Sequence, residues 1–300
     1  MRRQPEIVAA TDLSSSSMQA VERGFLLAKG LGGKLTVVHA LGLDDLGMIQ
    51  QFLSEDTDRL SKAITSETRH QLQALLAPME TKHGIQAVIQ IQTGQPTQSI
   101  PDFLSHRQSQ LLVLGAHGKG FFQRLLLGST ASNLLKKSSV PVLAVKKPAV
   151  GVYQNILIAV DFSDSNPKMI RAARQLFPSA HFHFLHVYDL PFEGKLRLAG
   201  VNDEDIHQYR DSASRGAMIQ LHNMALEAGL EKWEYSGLVI NGDPTLEIIR
   251  HEQKLNIDLI VMGKRGLHLT EELLLGSVTK RVLAESAGDV LVVVPDAIKD

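Results

Sequence analysis

The sequence predicts an α/β fold made twice: two tandem, doubly wound, five-stranded parallel-sheet domains. Three observations carry this. A glycine pattern, G-x2-G-x9-G-S, occurs at Gly115, Gly118, Gly128 and Ser129, and again 148 residues later at Gly263, Gly266, Gly276 and Ser277. Each copy follows a short apolar run, LLVL at residues 111–114 and LIVM at 259–262, and leads into a helix-like stretch. Each is also preceded by the same elements in the same order, and such an internal repeat sets the whole architecture.

The elements align one by one. Strand 1 is EIVAATD in the first half and NILIAVD in the second, running to Asp12 and Asp161. Each Asp is followed by an apolar residue and Ser, then by a helix, SMQAVERGFLLAKGL or PKMIRAARQLF. Strand 2, KLTVVHA or HFHFLHV, carries His39 or His186 near its end. A variable stretch and a long helical segment follow, over about residues 56–82 and 204–228. Strand 3, QAVIQIQTG or EYSGLVING, ends at Gly94-Gln-Pro-Thr or Gly242-Asp-Pro-Thr. A helix, strand 4, the glycine loop, a further helix and a final strand (VPVLAVK or DVLVVVP) complete each unit. Short apolar strands alternating with helices predict a parallel sheet covered on both faces. Ligands in such sheets bind beyond the carboxyl ends of the strands, where strand order reverses. Asp12, His39, Gly94 and Gly115, with Asp161, His186, Gly242 and Gly263, all fall at those ends. The break near KKPAVGVYQN divides the chain into domains at residues 1–148 and 152–300.

Composition narrows the function classes. With 300 residues and 44% hydrophobic content, each half can bury a core. There is no cysteine, which removes disulfides and thiol nucleophiles. The N-terminus has no apolar stretch suited to a signal peptide, and no apolar run reaches the roughly 18 residues of a membrane span. A cytoplasmic protein is the expectation. Net charge is −1, but residues 1–150 carry 16 Lys+Arg against 11 Asp+Glu, and residues 151–300 carry 15 against 21. The positive charges of the first half are scattered and lack interleaved aromatics, which argues against direct nucleic-acid binding.

The loop chemistry suits phosphates. The first glycine permits a tight turn and the second lets backbone N–H groups approach an anion. The later Gly-Ser opens a helix, whose free N–H groups and positive dipole end can hold another phosphate, with the Ser hydroxyl adding a hydrogen bond. Lys119, Lys264 and Arg265 can neutralise phosphate charge or simply lie on the solvated surface. Asp12 and Asp161 can accept hydrogen bonds from ribose hydroxyls or hold Mg²⁺, and the same Asp-x-Ser pattern is a helix start signal. Thr11 adds a hydroxyl where the second half has Val160. There is neither a GxxxxGK[ST] loop nor a GxGxxG fingerprint.

With these motifs in place, the chain resembles universal stress proteins, in the tandem two-domain form, and the resemblance covers nearly its whole length. It implies a Rossmann-like fold of the adenine nucleotide alpha hydrolase type and, in the family's nucleotide-binding branch, ATP or AMP as ligand, with Mg²⁺ as a companion ion. By this resemblance Thr11, Asp12 and Asp161 lie near the ribose and phosphates, and Ala40 and Val187 touch the adenine. Leu114 and Gly115, or Met262 and Gly263, line the base and ribose. His117, Gly118, Gly128, Ser129 and Thr130, or Arg265, Gly266, Gly276, Ser277 and Val278, surround the phosphates. The family often has Pro before the last strand; Pro141 keeps it, whereas Asp289 stands there in the second half. Family members pair their final strands between subunits, which implies an intrachain pseudo-dimer here and is compatible with a further homodimer.

Other features carry less. His181 and His183 fall on one strand face and His186 on the other, a poor arrangement for a metal site. Met18, Met48, Met169, Met218 and Met224 read as packing, and Trp233 as filling a surface groove or strand flank. The segments at residues 42–54 and 191–202 are candidate rim lids or simply variable connections. No base and nucleophile pair is apparent, so a nucleotide binder of stress response or signalling with little or no catalysis, acting on a protein partner, is the leading expectation. The alternative is an adaptor that ignores nucleotides and binds an apolar small molecule or a protein.

Overall fold

Strand and helix alternate along the chain as the repeat requires. The computed structural model describes residues 4–42, 57–107, 109–116, 127–188, 198–264 and 275–294. The first compact unit spans Met1–Val152 and the second Tyr153–Ile298. Unit one runs β1 (Glu6–Ala10), α1 (Ser15–Gly30), β2 (Lys34–Leu41), α2 (Thr57–His83), β3 (Ala87–Thr93), α3 (Pro96–Ser105), β4 (Ser109–Gly115), α4 (Ser129–Lys137) and β5 (Val142–Val145). Unit two repeats the series as β6 (Asn155–Val160), α5 (Asn166–Leu176), β7 (His181–Tyr188), α6 (Asp203–Glu227), β8 (Tyr235–Asn241), α7 (Pro244–Lys254), β9 (Leu259–Gly263), α8 (Ser277–Glu285) and β10 (Asp289–Val293).

Within the first unit the strand order is β3-β2-β1-β4-β5, and within the second β8-β7-β6-β9-β10. The ladders are parallel: Ile7 is level with Leu35 and Leu111, and Ile156 with Phe182 and Leu259. The order reverses between β1 and β4, and between β6 and β9, which opens a crevice at their carboxyl ends. Central strands are enclosed on both faces, with Ile7, Val8, Leu111, Leu112, Val113, Ile156, Leu157 and Ile260 sealed from solvent. That burial explains their unbroken apolar runs. β3 and β8, each last in its unit's order, are only partly covered and mix polar with apolar residues.

Local signals set the helix starts. Ser14 caps α1 by accepting the Ser17 N–H at 3.2 Å. Pro96 and Pro244 occupy the first turns of α3 and α7, where their missing N–H costs nothing. Gly94, between β3 and α3, has φ +113°, a conformation that a side chain disfavours, and its N–H donates to the Leu41 carbonyl. The Pro-to-Asp departure at the last strand is structural: Asp289 opens β10 at 1% exposure, and the Tyr153 hydroxyl donates to its carboxylate.

Two readings change. Trp233 fills no groove; it is 77% exposed. Met169 and Met224 are core residues, and Met218, though 38% exposed, packs its sulfur over Gly237 of β8. Lys264 is enclosed at 4% exposure, so it is no solvated surface charge. Lys119, Met48 and most of the two candidate lid segments lie outside the described residues. Among the described residues no cluster suited to a metal occurs, and no helix is long and apolar enough to cross a membrane.

Candidate functional site

The crevice of the first unit is built where β1 and β4 diverge. Ala10, Thr11 and Asp12 continue β1, and Leu114 and Gly115 end β4. Ala40 comes from β2, Pro96 and Ile100 from α3, and Gly128, Ser129, Thr130, Ala131 and Leu134 from the start of α4. Ser17 of α1 also lines this cleft, whose volume is about 250 Å³. Ala40, Ile100, Leu114 and Leu134 make part of its lining apolar, and Asp12, Ser129 and Thr130 supply polar groups.

Hydrogen bonds explain how the polar lining is held. The Asp12 carboxylate accepts the Ser14 N–H at 3.0 Å, which folds the chain sharply into α1. The helix cap itself is Ser14, so Asp12 shapes the turn without occupying the cap position. The Thr11 hydroxyl accepts the Leu13 N–H at 3.0 Å and lies 2.9 Å from the Ser17 hydroxyl. His39 Nδ1 lies 2.8 Å from the Thr11 carbonyl, so the strand 2 histidine supports the loop from behind the cleft. Gly115 meets α1 closely: a Cβ there would lie 2.9–3.0 Å from Ser16 Oγ, C and O. Helix α4 begins at Gly128 with no side-chain cap. Its first-turn N–H groups, beside the exposed Ser129 and Thr130, therefore form a place for an anion.

The second unit repeats this framework. His186 Nδ1 lies 2.9 Å from the Val160 carbonyl. Burial holds the His186 imidazole below its ordinary pKa, opposed by that carbonyl and by the Asp161 charge. Gly276 N–H donates to the Lys264 carbonyl at 3.0 Å, as Gly128 N–H donates to Ala116 at 2.9 Å. Helix α8 likewise starts at a glycine without a side-chain cap, with Ser277 exposed. Two substitutions alter its first turn. Val278 replaces Thr130 and removes a hydroxyl, whereas Thr279 replaces Ala131 and donates 3.0 Å to the Gly263 carbonyl. The rim also gains an aromatic column: Phe162 lies 4.2 Å from His186, and His186 stacks with Tyr188 at 6.4 Å.

Of the first-half residues singled out from the sequence, Thr11, Asp12, Ala40, Leu114, Gly115, Gly128, Ser129 and Thr130 line one cleft. In the second half Asp161, Val187, Met262, Gly263, Gly276, Ser277 and Val278 lie at the corresponding strand ends and helix start. His117, Gly118, Arg265 and Gly266 lie outside the described residues. Sequence reasoning missed Ala10, Ser17, Pro96, Ile100, Ala131 and Leu134. Pro96 had a signal, since it belongs to the Gly94-Gln-Pro element; Ile100 and Leu134 look like any core positions of amphipathic helices.

Comparison with known proteins agrees with this architecture. The chain is 28% identical over 143 residues to a universal stress protein of Methanocaldococcus jannaschii, covering 48% of this chain and 82% of that one. It is 29% identical over 147 residues to universal stress protein YxiE of Bacillus subtilis, covering 47% and 99%. A solved universal stress protein of Archaeoglobus fulgidus superposes with a TM-score of 0.67 over 97% of this chain and 98% of that one, at 20% identity, a likeness of fold alone. The model of the Universal stress protein family matches residues 5–146 and again 152–294. The chain therefore belongs to the universal stress protein family, as a tandem member with one family domain in each half.

Proposed function

We propose that this protein binds an adenine nucleotide, ATP or AMP, at the carboxyl rims of its two sheets, and that it serves stress response or signalling as a binder with little or no catalysis. The observation that carries the reading is the start of α4. An uncapped helix N-terminus flanked by two exposed hydroxyls lines the same cleft as the Asp12 carboxylate and the apolar Ala40, Ile100, Leu114 and Leu134. An anion there gains roughly 0.3–1 kcal/mol from the helix end alone, before hydrogen bonds are counted. The apolar lining suits a flat base, and Asp12 suits a ribose hydroxyl or Mg²⁺. In the second unit Asp161, Gly276 and Ser277 supply the same groups.

Calorimetric titration of the full chain with ATP tests this. Binding is expected, weakened about thirtyfold by Ser129→Ala with Thr130→Ala, since each of the two lost hydrogen bonds is worth about 1 kcal/mol. An unchanged isotherm in that variant contradicts the site. The run of Ala40, Ile100, Leu114 and Leu134 also favours the second reading, an apolar ligand or protein partner taken without nucleotide. Recovery of an apolar molecule from the purified protein, together with no response to ATP, would select it.

The pairing of the two final strands into a pseudo-dimer belongs to the same proposal, as does a cytoplasmic location. The chain has no cysteine, so cysteine pairs scanned along β5 and β10 would report that pairing cleanly. Failure of every pair to cross-link would argue against it.

A further inference from the structure

The two rims solve one backbone problem differently. Leu13 and Phe162 both adopt a left-handed conformation, with φ of 64° and 60°. Neither residue is glycine, so the surrounding structure must hold each turn. In the first half two hydroxyls accept the turn's N–H groups: Thr11 takes Leu13 N–H at 3.0 Å, and Ser17 takes Asp12 N–H at 3.3 Å. In the second half Val160 has no hydroxyl, and Asn166 stands in place of Ser17. Its Oδ1 accepts both the Asp161 N–H at 3.0 Å and the Phe162 N–H at 2.9 Å.

An amide does more than a hydroxyl. Asn166 Nδ2 donates to Asp161 Oδ1 at 3.0 Å and to Ser163 Oγ at 3.0 Å. Asp161 Oδ1 also accepts the Ser163 N–H at 3.1 Å and the Ser163 hydroxyl at 2.7 Å. The orientation of the amide is fixed by its neighbours, because only an oxygen can face two N–H donors and only an NH₂ can face a carboxylate. Asn166 is 2% exposed, so water does not compete for these bonds. Three donors thus saturate Oδ1 of Asp161, and among the described residues no hydrogen bond is made to Oδ2.

We propose that Asn166 is a positioning residue for the second-half site, which orients Asp161 before any ligand arrives. The role in binding rests on the nucleotide reading above; the orientation of Asp161 does not. Preset geometry lowers the cost of ordering the site, so the second rim is the one whose affinity depends on this amide.

The test uses the full chain and reads amide hydrogen exchange residue by residue by NMR, without and with ATP. Asn166→Asp keeps an acceptor for the Asp161 and Phe162 N–H groups, but removes the donor and sets a second carboxylate beside Asp161. The Phe162 amide should stay protected, the Ser163 amide should exchange at least about tenfold faster, and ATP affinity at the second rim should fall about tenfold, with the first rim unchanged. Val160→Thr with Asn166→Ser copies the first half's solution to the turn. It should fold as the wild type does and show the same loss of affinity. Unchanged Ser163 exchange and unchanged affinity in both variants would overturn the proposal. If ATP perturbs neither rim of the wild type, the nucleotide reading falls instead, and Ser163 exchange in Asn166→Asp alone decides whether Asn166 orients Asp161.

Discussion

Gly115→Ala adds one methyl group where β4 meets the start of α1, and its effect can be worked from the structure. The new Cβ would sit 2.9 Å from Ser16 Oγ and 3.0 Å from Ser16 C and O. The hydroxyl can rotate away, but the backbone atoms cannot. Ordinary contact requires α1 and β4 to separate by roughly half an ångström, and such overpacking costs about 1–3 kcal/mol. For a unit of this size that corresponds to a fall in melting temperature of about 2–4 °C per kcal/mol. Gly30→Ala is the control: a Cβ at Gly30 meets nothing within 4 Å, so that variant should match or slightly exceed the wild type. Urea unfolding followed by circular dichroism measures both. The displaced segment leads directly from Asp12, so Gly115→Ala should also weaken ATP binding at the first rim. A Gly115→Ala protein as stable as Gly30→Ala, with unchanged binding, would refute the claim that this contact sets the site's geometry.

Two further outcomes follow from the second unit. Glu252, 4% exposed, accepts the Ala287 N–H at 3.3 Å and the Gly288 N–H at 2.5 Å, so Glu252→Ala should cost about 3 kcal/mol in urea unfolding by stranding both donors; a cost below about 1 kcal/mol would contradict that role. Burial lowers the pKa of both His183 and His186 from 6.5, aided at His183 by the neighbouring His181. The unfolded chain therefore takes up protons below pH 6.5 that the folded chain resists, so stability is fully present above that pH and declines as pH falls below it. The urea midpoint should drop between pH 7.5 and 5.5, and His183→Asn should reduce that drop; an equal drop in the variant would contradict the assignment.

Much of this architecture was legible because a duplicated sequence compares itself. Asp12 with Asp161, His39 with His186, and the paired glycine loops mark the same strand ends twice, and parallel topology gathers strand ends on one rim. The roles inside each rim were harder to read. Asp-x-Ser reads equally as a helix cap or a ligand residue; only the hydrogen bonds show Ser14 as the cap and Asp12 as the shaper of the turn. Asn166 was not singled out at all, since nothing in a sequence separates a buried amide that makes four hydrogen bonds from a solvated one. Thr11 was noted without Ser17, although the two act together across a six-residue separation that is local only once the turn has folded. Lys264 carries a charge in a glycine loop, a pattern that suggests solvent, yet the fold encloses it. Trp233 failed in the opposite direction: its size suggests a surface groove or strand flank to fill, but it lies exposed in the turn before β8.

The most direct test of nucleotide binding at the rims is to denature the purified, full-length protein and identify any small molecule it releases by mass spectrometry, with a titration by ATP alongside. Recovery of ATP or AMP, or saturable ATP binding that is weakened by Ser129→Ala with Thr130→Ala, is the predicted result. Recovery of an apolar molecule, together with no binding of ATP at millimolar concentration, would contradict the account and leave the cleft to the adaptor reading.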